Sequence, residues 1–459
     1  MAEKSGSFDI RAVARQSGAT VTREVPTIGI YTVEGDAKVE RRLEALRGFQ
    51  KAVIGKTASV VHPASVAAQP TEGIVTEEAE SQADHHHPEV LLPADDDFYF
   101  GAQWSLNAIH APEAWATGQR GHGVRVAVLD TGIDPTHPDL AANVNVALAR
   151  SFVYGQTWDV STDAVQEADH GTHISGIIAA ADNGFGIIGV APEAEIVPVQ
   201  VLKRPLGNGM PDALIEGLVY AAGIGADVIN MSIEYHYNRW GGINDIGTPD
   251  DPSDDYAYTA QDVAVLGKAF SRATRYAHAR GCTMVASGGN TATDADSDRD
   301  QVVLPRDAAH VLGIAGTGPL GWAMDFETDL DVPGHYTDHG KRAIDFSAPG
   351  GNLDFDLFAS GEFCTVSSSA ISATYPCWLF DGVLGCAPVK GYFYQFRKGT
   401  SMAAAHVSGV AALIIGKNGG SMSPLQVTAR LRMSADDLGE KNRDGYHGWG
   451  RVNAYRAVQ

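Results

Sequence analysis

Val124-Arg125-Val126-Ala127-Val128-Leu129-Asp130-Thr131-Gly132 is a short apolar run that ends on an acid and a turn. An almost continuous run of β-branched and aliphatic residues, too short for a core helix, reads as a parallel strand buried on both faces. Ile196–Val201, Asp227–Ser232, Thr283–Ser287 and Val311–Ala315 repeat the style downstream. Between them, Pro211–Ala222 and Ala264–Arg280 read as helices. Strand, helix, strand alternation predicts an α/β fold with a doubly wound parallel sheet, whose sites form beyond the carboxyl ends of strands. Asp130 stands at such an end.

The chain outside this core divides by texture. Residues 1–62 predict a small α+β, ferredoxin-like unit, with a helix over Ile10–Gln16 and strands over Thr20–Val25 and Ile28–Val33. An amphipathic helix is expected over Asp36–Phe49 and a last strand over Ala58–Val61. Residues 63–95 are rich in Pro, Ala, Gln, Thr and acids, and carry His85-His86-His87; they predict a flexible acidic linker rather than a metal site. Residues 96–459 form the large domain. Within it, Tyr235–Tyr256 is Gly-, Asn- and Asp-rich and predicts a surface loop, and Gly351–Arg397 is apolar enough to predict a packed excursion.

Composition narrows the function. The 459 residues carry 34 Lys+Arg against 56 Asp+Glu, a net charge of −22, which excludes a basic surface for nucleic acid or anionic membranes. The same acids suit hard cations such as calcium. The apolar runs are too short and too interrupted to span a bilayer. Met1–Phe8 has no apolar core, so no signal peptide is expected there, and a leader and first strand trimmed from the N-terminus would fit the small first sheet. Cys282 sits in a strand-like run and predicts a buried thiol; one disulfide is expected among Cys364, Cys377 and Cys386, its pairing open.

Three positions carry chemistry. Asp130 ends a strand, His170 opens His170-Gly171-Thr172-His173, and Ser401 opens the Ala-rich helix of Gly399-Thr400-Ser401-Met402-Ala403-Ala404-Ala405-His406. Each alone has an ordinary explanation as a cap or turn residue. Together they are what nucleophilic catalysis by serine requires: a base to take the hydroxyl proton and a carboxylate to hold the base.

These blocks, in this order, resemble the signature blocks of the subtilisin-like serine proteases, or subtilases, over Asp95 to the C-terminus. The resemblance implies an Asp130–His170–Ser401 triad, with Asn290 in Ser287-Gly288-Gly289-Asn290 donating to the oxyanion. It implies substrate contacts from Ser232-Ile233-Glu234 and from Ser287, Gly288 and Gly289. It implies a calcium site from the Asn183 side chain, the backbone oxygens of Ala181, Phe185 and Ile187, and the Asp139 carboxylate, with Asp96 adding an oxygen. The first domain resembles a propeptide that chaperones and inhibits, so the chain is expected to be a self-processing, secreted, monomeric proenzyme acting on proteins or peptides. A narrow processing peptidase and a non-catalytic protein-binding relative are the alternatives. Two positions depart from the family: Glu234 stands near a usual glycine, where a carboxylate could narrow or charge the groove, and Ala405 replaces a usual proline.

Overall fold

The computed structural model describes residues 10–35, 39, 74–75, 97–161, 170–204, 208–244, 256–367, 372–390 and 393–459. The expected helix after Gly35 (Val39 apart), the strand at Ala58–Val61, most of the linker and Asp96 lie outside these residues.

Seven parallel strands form the central sheet. They are β1 (Arg125–Asp130), β2 (Arg150–Ser151), β3 (Glu195–Gln200), β4 (Val228–Met231), β5 (Thr283–Ser287), β6 (Val311–Thr317) and β7 (Phe346–Pro349). Their order across the sheet is β7-β6-β5-β4-β1-β3-β2. The chain winds one way from β1 through β2 and β3, then the other way from β4 to β7. The reversal falls beside β1, so a crevice opens at the end of the strand that carries Asp130.

Helices cover both faces. On one side lie α1 (His170–Ala179) and α4 (Thr400–Lys417), packed on each other; on the other lie α2 (Pro211–Gly223) and α3 (Ala260–Ala279). Helix α4 is buried from Thr400 through Ile415, so Ala, Gly and Ser are its natural residues: small side chains let a helix run through the middle of the protein. Contrary to the expectation from sequence, it is by length and composition long and apolar enough to cross a membrane, but its burial is that of a core helix. Gly399, its N-cap, has φ 149° and ψ 159°, a conformation open to glycine and costly for other residues.

The N-terminal unit shows a helix at Ile10–Gln16 and an antiparallel pair, Ala19–Val25 with Ile30–Gly35. Val25 and Ile28 join the apolar cluster of α2 and α3. Arg23 reaches two α2 carboxylates, Asp212 at 3.2 Å and Glu216 at 2.9 Å, and Thr32 Oγ1 donates to Asp212 at 3.1 Å. In the linker, Ile74 and Val75 pair antiparallel with Gln395 and Tyr394.

The Gly351–Arg397 excursion is packed, as its aromatics suggested. It holds a hairpin, Phe363–Ser367 with Ser372–Pro376, closed by a Cys364–Cys377 disulfide. Trp104 Nε1 donates into it, to the carbonyls of Phe380 and Gly382. Cys282 and Cys386 are free, buried thiols.

One expectation is corrected. The segment after Glu234 is not a surface loop at its start. Tyr235–Asn238 pairs antiparallel with Gln301–Leu304, and Gly241–Asn244 pairs with Tyr256–Thr259. Tyr235 is fully buried against Phe270 and Tyr237 packs on Tyr258. Alternating tyrosines, a period of two, outweigh the loop-forming composition that follows them.

Candidate active site

The crevice beyond β1 gathers the chemically capable side chains. Asp130 and His170 are buried, and His170 Nδ1 lies 2.9 Å from both Asp130 carboxylate oxygens. A carboxylate only accepts, so Nδ1 carries the proton and donates it. Nε2 is then the basic nitrogen. The carboxylate is itself fixed by its neighbour's backbone, Thr131 N–H donating to Oδ1 at 2.7 Å. Two threonines lace the end of β1 to the start of α1: Gly171 N–H donates to Thr131 Oγ1 at 3.1 Å, and Asp134 N–H to Thr172 Oγ1 at 3.0 Å.

Ser401 sits in the first turn of α4, 7% exposed, where backbone N–H groups lack helical partners and the helix dipole favours negative charge. Its carbonyl accepts from Ser232 Oγ at 2.8 Å. Ser232 Oγ accepts from Asn230 Nδ2 at 3.0 Å, and Asn230 Oδ1 accepts from Ser408 Oγ at 2.9 Å. This buried ladder fastens α4 to the end of β4 at two points, two turns apart. Ser401 Oγ itself lies 3.5 Å from the Ser232 carbonyl.

The opposite wall is the end of β5. Gly288 N–H donates to the Ile314 carbonyl at 2.8 Å, and Ser287 Oγ to the Ile233 carbonyl at 3.1 Å. Gly289 has φ 119°, and a Cβ there would meet Asp338 Oδ2 at 2.1 Å, so only glycine fits. Asn290 follows, its Oδ1 accepting from Thr400 N–H at 2.9 Å and Thr400 Oγ1 at 3.1 Å. Its Nδ2 donates to Glu234 Oε1 at 2.9 Å. Ser232, Ile233 and Glu234 follow β4 as irregular chain and are each 1% exposed. Glu234 is therefore buried under the wall rather than exposed on its surface.

Of the residues expected to hold a metal, Asp139 lies against the Ala181–Ile187 loop, with Ala181 N–H donating to its carbonyl at 2.7 Å; Asp96 is outside the described residues. Asp139 is fully buried; its Oδ2 accepts from Ile187 N–H at 3.0 Å and from Tyr394 OH at 2.9 Å. Its Oδ1 has no hydrogen-bond partner among the described residues. Burial pushes this carboxyl up to about 7. Asn183 lies alongside, donating to the Pro138 carbonyl at 3.4 Å. The buried, unpartnered Asp139 oxygen beside the Ala181–Ile187 loop is the kind of hard oxygen ligand that a calcium ion takes. His137 and Cys386 also approach Asp139. They do not make a soft-metal set. His137 Nε2–H donates to the Phe393 carbonyl at 2.8 Å and its Nδ1 accepts from Asp139 N–H at 3.2 Å, and burial pushes the Cys386 thiol well up.

Sequence reading missed the supports: Thr131, Thr172, Asn230, Ser408 and Thr400. Asn230 and Ser232 offered a signal, being polar residues at the end of an otherwise apolar strand.

Residues 121–450 match the model of the subtilase family. The chain belongs to that family, and it is a serine endopeptidase of the subtilisin type. Subtilisin Savinase of Lederbergia lenta is 32% identical over 357 residues, covering 78% of this chain and 98% of that protein. Thermitase of Thermoactinomyces vulgaris is 30% identical over 369 residues, covering 80% and 99%. Among solved structures, a lanthipeptide protease matches with a TM-score of 0.57 and 27% identity, over 79% of this chain and 95% of that one. The epidermin leader peptide processing serine protease of Staphylococcus aureus shares the fold over 99% of this chain and 96% of its own, with a TM-score of 0.69 at 18% identity.

Proposed function

We propose that this chain cleaves peptide bonds through Asp130, His170 and Ser401 and is made as a self-processing, secreted proenzyme. The observation that carries the reading is the His170 imidazole, held through Nδ1 by both Asp130 oxygens at 2.9 Å beside the helix that bears Ser401. Nε2 takes the Ser401 proton as Oγ bonds to the scissile carbonyl carbon. The carbonyl oxygen becomes an oxyanion, which Asn290 Nδ2 and the Ser401 backbone N–H stabilise. Its collapse breaks the C–N bond, and His170 delivers the proton to the leaving amine. Water, deprotonated by the same nitrogen, then releases the acyl group. The substrate backbone lies between Ser232–Glu234 and Ser287–Gly289.

Calcium is the resident ion we infer, held by Asp139, Asn183 and the carbonyls of Ala181, Phe185 and Ile187. It would cross-link the loop after α1 to the segment after β1 without touching the reaction. The N-terminal unit, with the linker after it, is the intramolecular inhibitor and chaperone, and the chain acts as a monomer. The disulfide supports an oxidising destination, since such bonds persist outside the reducing cytosol. A narrower reading, a processing peptidase of narrow specificity, has support in the likeness to a lanthipeptide protease.

The test is to incubate the full chain and Ser401→Ala with calcium, following chain length and casein hydrolysis. The unmodified chain should shorten and cut casein. The variant should fall by about 10⁶-fold in kcat, the scale known for subtilisin itself. A folded, unmodified chain that does neither overturns the reading. A cleavage profile confined to one motif selects the narrower one.

A further inference from the structure

We propose that Glu234 is a positioning residue for Asn290: its buried carboxylate, backed by His236, holds the amide so that one N–H faces the carbonyl oxygen of a bound peptide bond. The inference rests on the oxyanion role proposed above for Asn290.

A primary amide has two N–H donors and one oxygen with two lone pairs. At Asn290 both lone pairs are taken, by Thr400 N–H at 2.9 Å and Thr400 Oγ1 at 3.1 Å. One N–H is taken by Glu234 Oε1 at 2.9 Å. A single N–H is left over for a substrate. The same three bonds forbid the flipped amide. Turning it over would set Oδ1 against a carboxylate oxygen and Nδ2 against a backbone N–H, two repulsive contacts in a buried site. Thr400 alone leaves the nitrogen end free to swing about its bonds; Glu234 fixes it from the other side.

Glu234 is well placed to do this because it is itself held. The residue is 1% exposed, and its Oε2 lies 3.5 Å from His236 Nε2. Neither atom has a hydrogen-bond partner among the described residues, so each is the other's nearest means of satisfaction. His236 is delivered by the Tyr235–Asn238 strand, whose pairing with Gln301–Leu304 fixes which side chains face inward.

Charge must also balance. A lone carboxylate one amide away from a developing oxyanion would oppose it. Glu234, Asp338 and Arg306 act on the charge of His236, and Asp298 lines the same pocket. Arg306 is shared by two carboxylates, Asp307 Oδ1 at 2.9 Å and Asp338 Oδ2 at 3.2 Å, and offsets part of their charge. Glu234 and His236 lie directly against each other, so each offsets the charge of the other. Burial works against a charged His236, but the attraction of the Glu234 carboxylate, with Asp338 adding to it, outweighs burial and holds the imidazole above its ordinary value. The amide thus gains a firm acceptor whose charge is offset, when His236 is protonated, by the imidazole behind it.

The experiment is a double-mutant cycle on the self-processed enzyme, measuring kcat and KM on a chromogenic peptide amide. Glu234→Ala should lower kcat roughly ten-fold, part of the about 10²–10³ that losing such a donor costs, with KM within about two-fold. Glu234→Gln, which keeps an acceptor oxygen, should recover most of the loss. In an Asn290→Ala background, Glu234→Ala should cost nothing further. Should Glu234→Ala fail to fold, Glu234→Met fills the same volume without an acceptor and takes its place in the cycle. Losses that multiply with those of Asn290→Ala, or a Gln variant as poor as Ala, overturn the inference. Activity that survives Ser401→Ala overturns the parent reading instead.

Discussion

On the His170 side of Ser401, the groups are placed by backbone. Asp130 is the last residue of β1, His170 the first of α1, and hydrogen bonds from adjacent main-chain N–H groups fix the threonines and the carboxylate. On the Asn290 side, placement runs through side chains: Thr400 to Asn290 to Glu234, with His236 behind. The first construction is rigid and tolerates little change in residue type. The second is a relay, in which a member can be altered while its neighbours keep the form of the site. The two sides should therefore fail differently.

The sharpest break is at Asp130. Asp130→Asn keeps the shape but can present an amide donor to Nδ1, which favours the wrong tautomer. The expected fall in kcat is about 10⁴-fold, with KM little changed. A loss of only ten-fold would mean that the backbone-built side is not the one that sets the base.

Across the site, Asn290→Ala should cost about 10²–10³ in kcat, the range found for the corresponding donor in subtilisin. Retained folding and retained self-shortening, only slower, would mark this side as the graded one. A loss as deep as that of the serine would erase the contrast.

A milder change acts on both sides through α4. His406 lies inside that helix with Nδ1 at 2.8 Å from the Met402 carbonyl, and burial pushes it down to about 4. An unfolded histidine titrates near 6.5. The folded state therefore binds fewer protons between those values, and stability present above about 6.5 is lost as pH falls toward 4, by up to about 3 kcal/mol. Urea unfolding of the inactive Ser401→Ala chain at a series of pH values should show this slope, and His406→Leu should flatten part of it.

The two sides also differ in how far the sequence reveals them. Strands such as Val124–Leu129 declare themselves by unbroken apolar runs, and Ser401 by the small residues a buried helix needs. Asp130 and His170 stand at element ends, where motif blocks are contiguous in sequence. The relay is not contiguous. Glu234 and Asn290 are 56 residues apart, and Asn230 and Ser408 are 178 apart. No local pattern links such partners, because the contact exists only once β4, β5 and α4 have converged. Glu234 therefore reads as an oddity of the groove until its burial is known. The strand at Tyr235 was obscured differently: two tyrosines at a period of two are a weak signal beside a long Gly- and Asp-rich tract.

The cysteines have a practical consequence. Two of the four are joined, and the other two, Cys282 and Cys386, are fully buried with thiols pushed up by burial, Cys282 to about 12. A folded molecule thus offers thiol reagents almost nothing, since only exposed thiolate reacts. Cys282 follows α3, against the face where the N-terminal unit docks, and Cys386 lies under α1 beside His137 and Asp139. The chain carries its own pair of unfolding reporters, one for each layer of the sandwich, readable by the order in which a dye attaches.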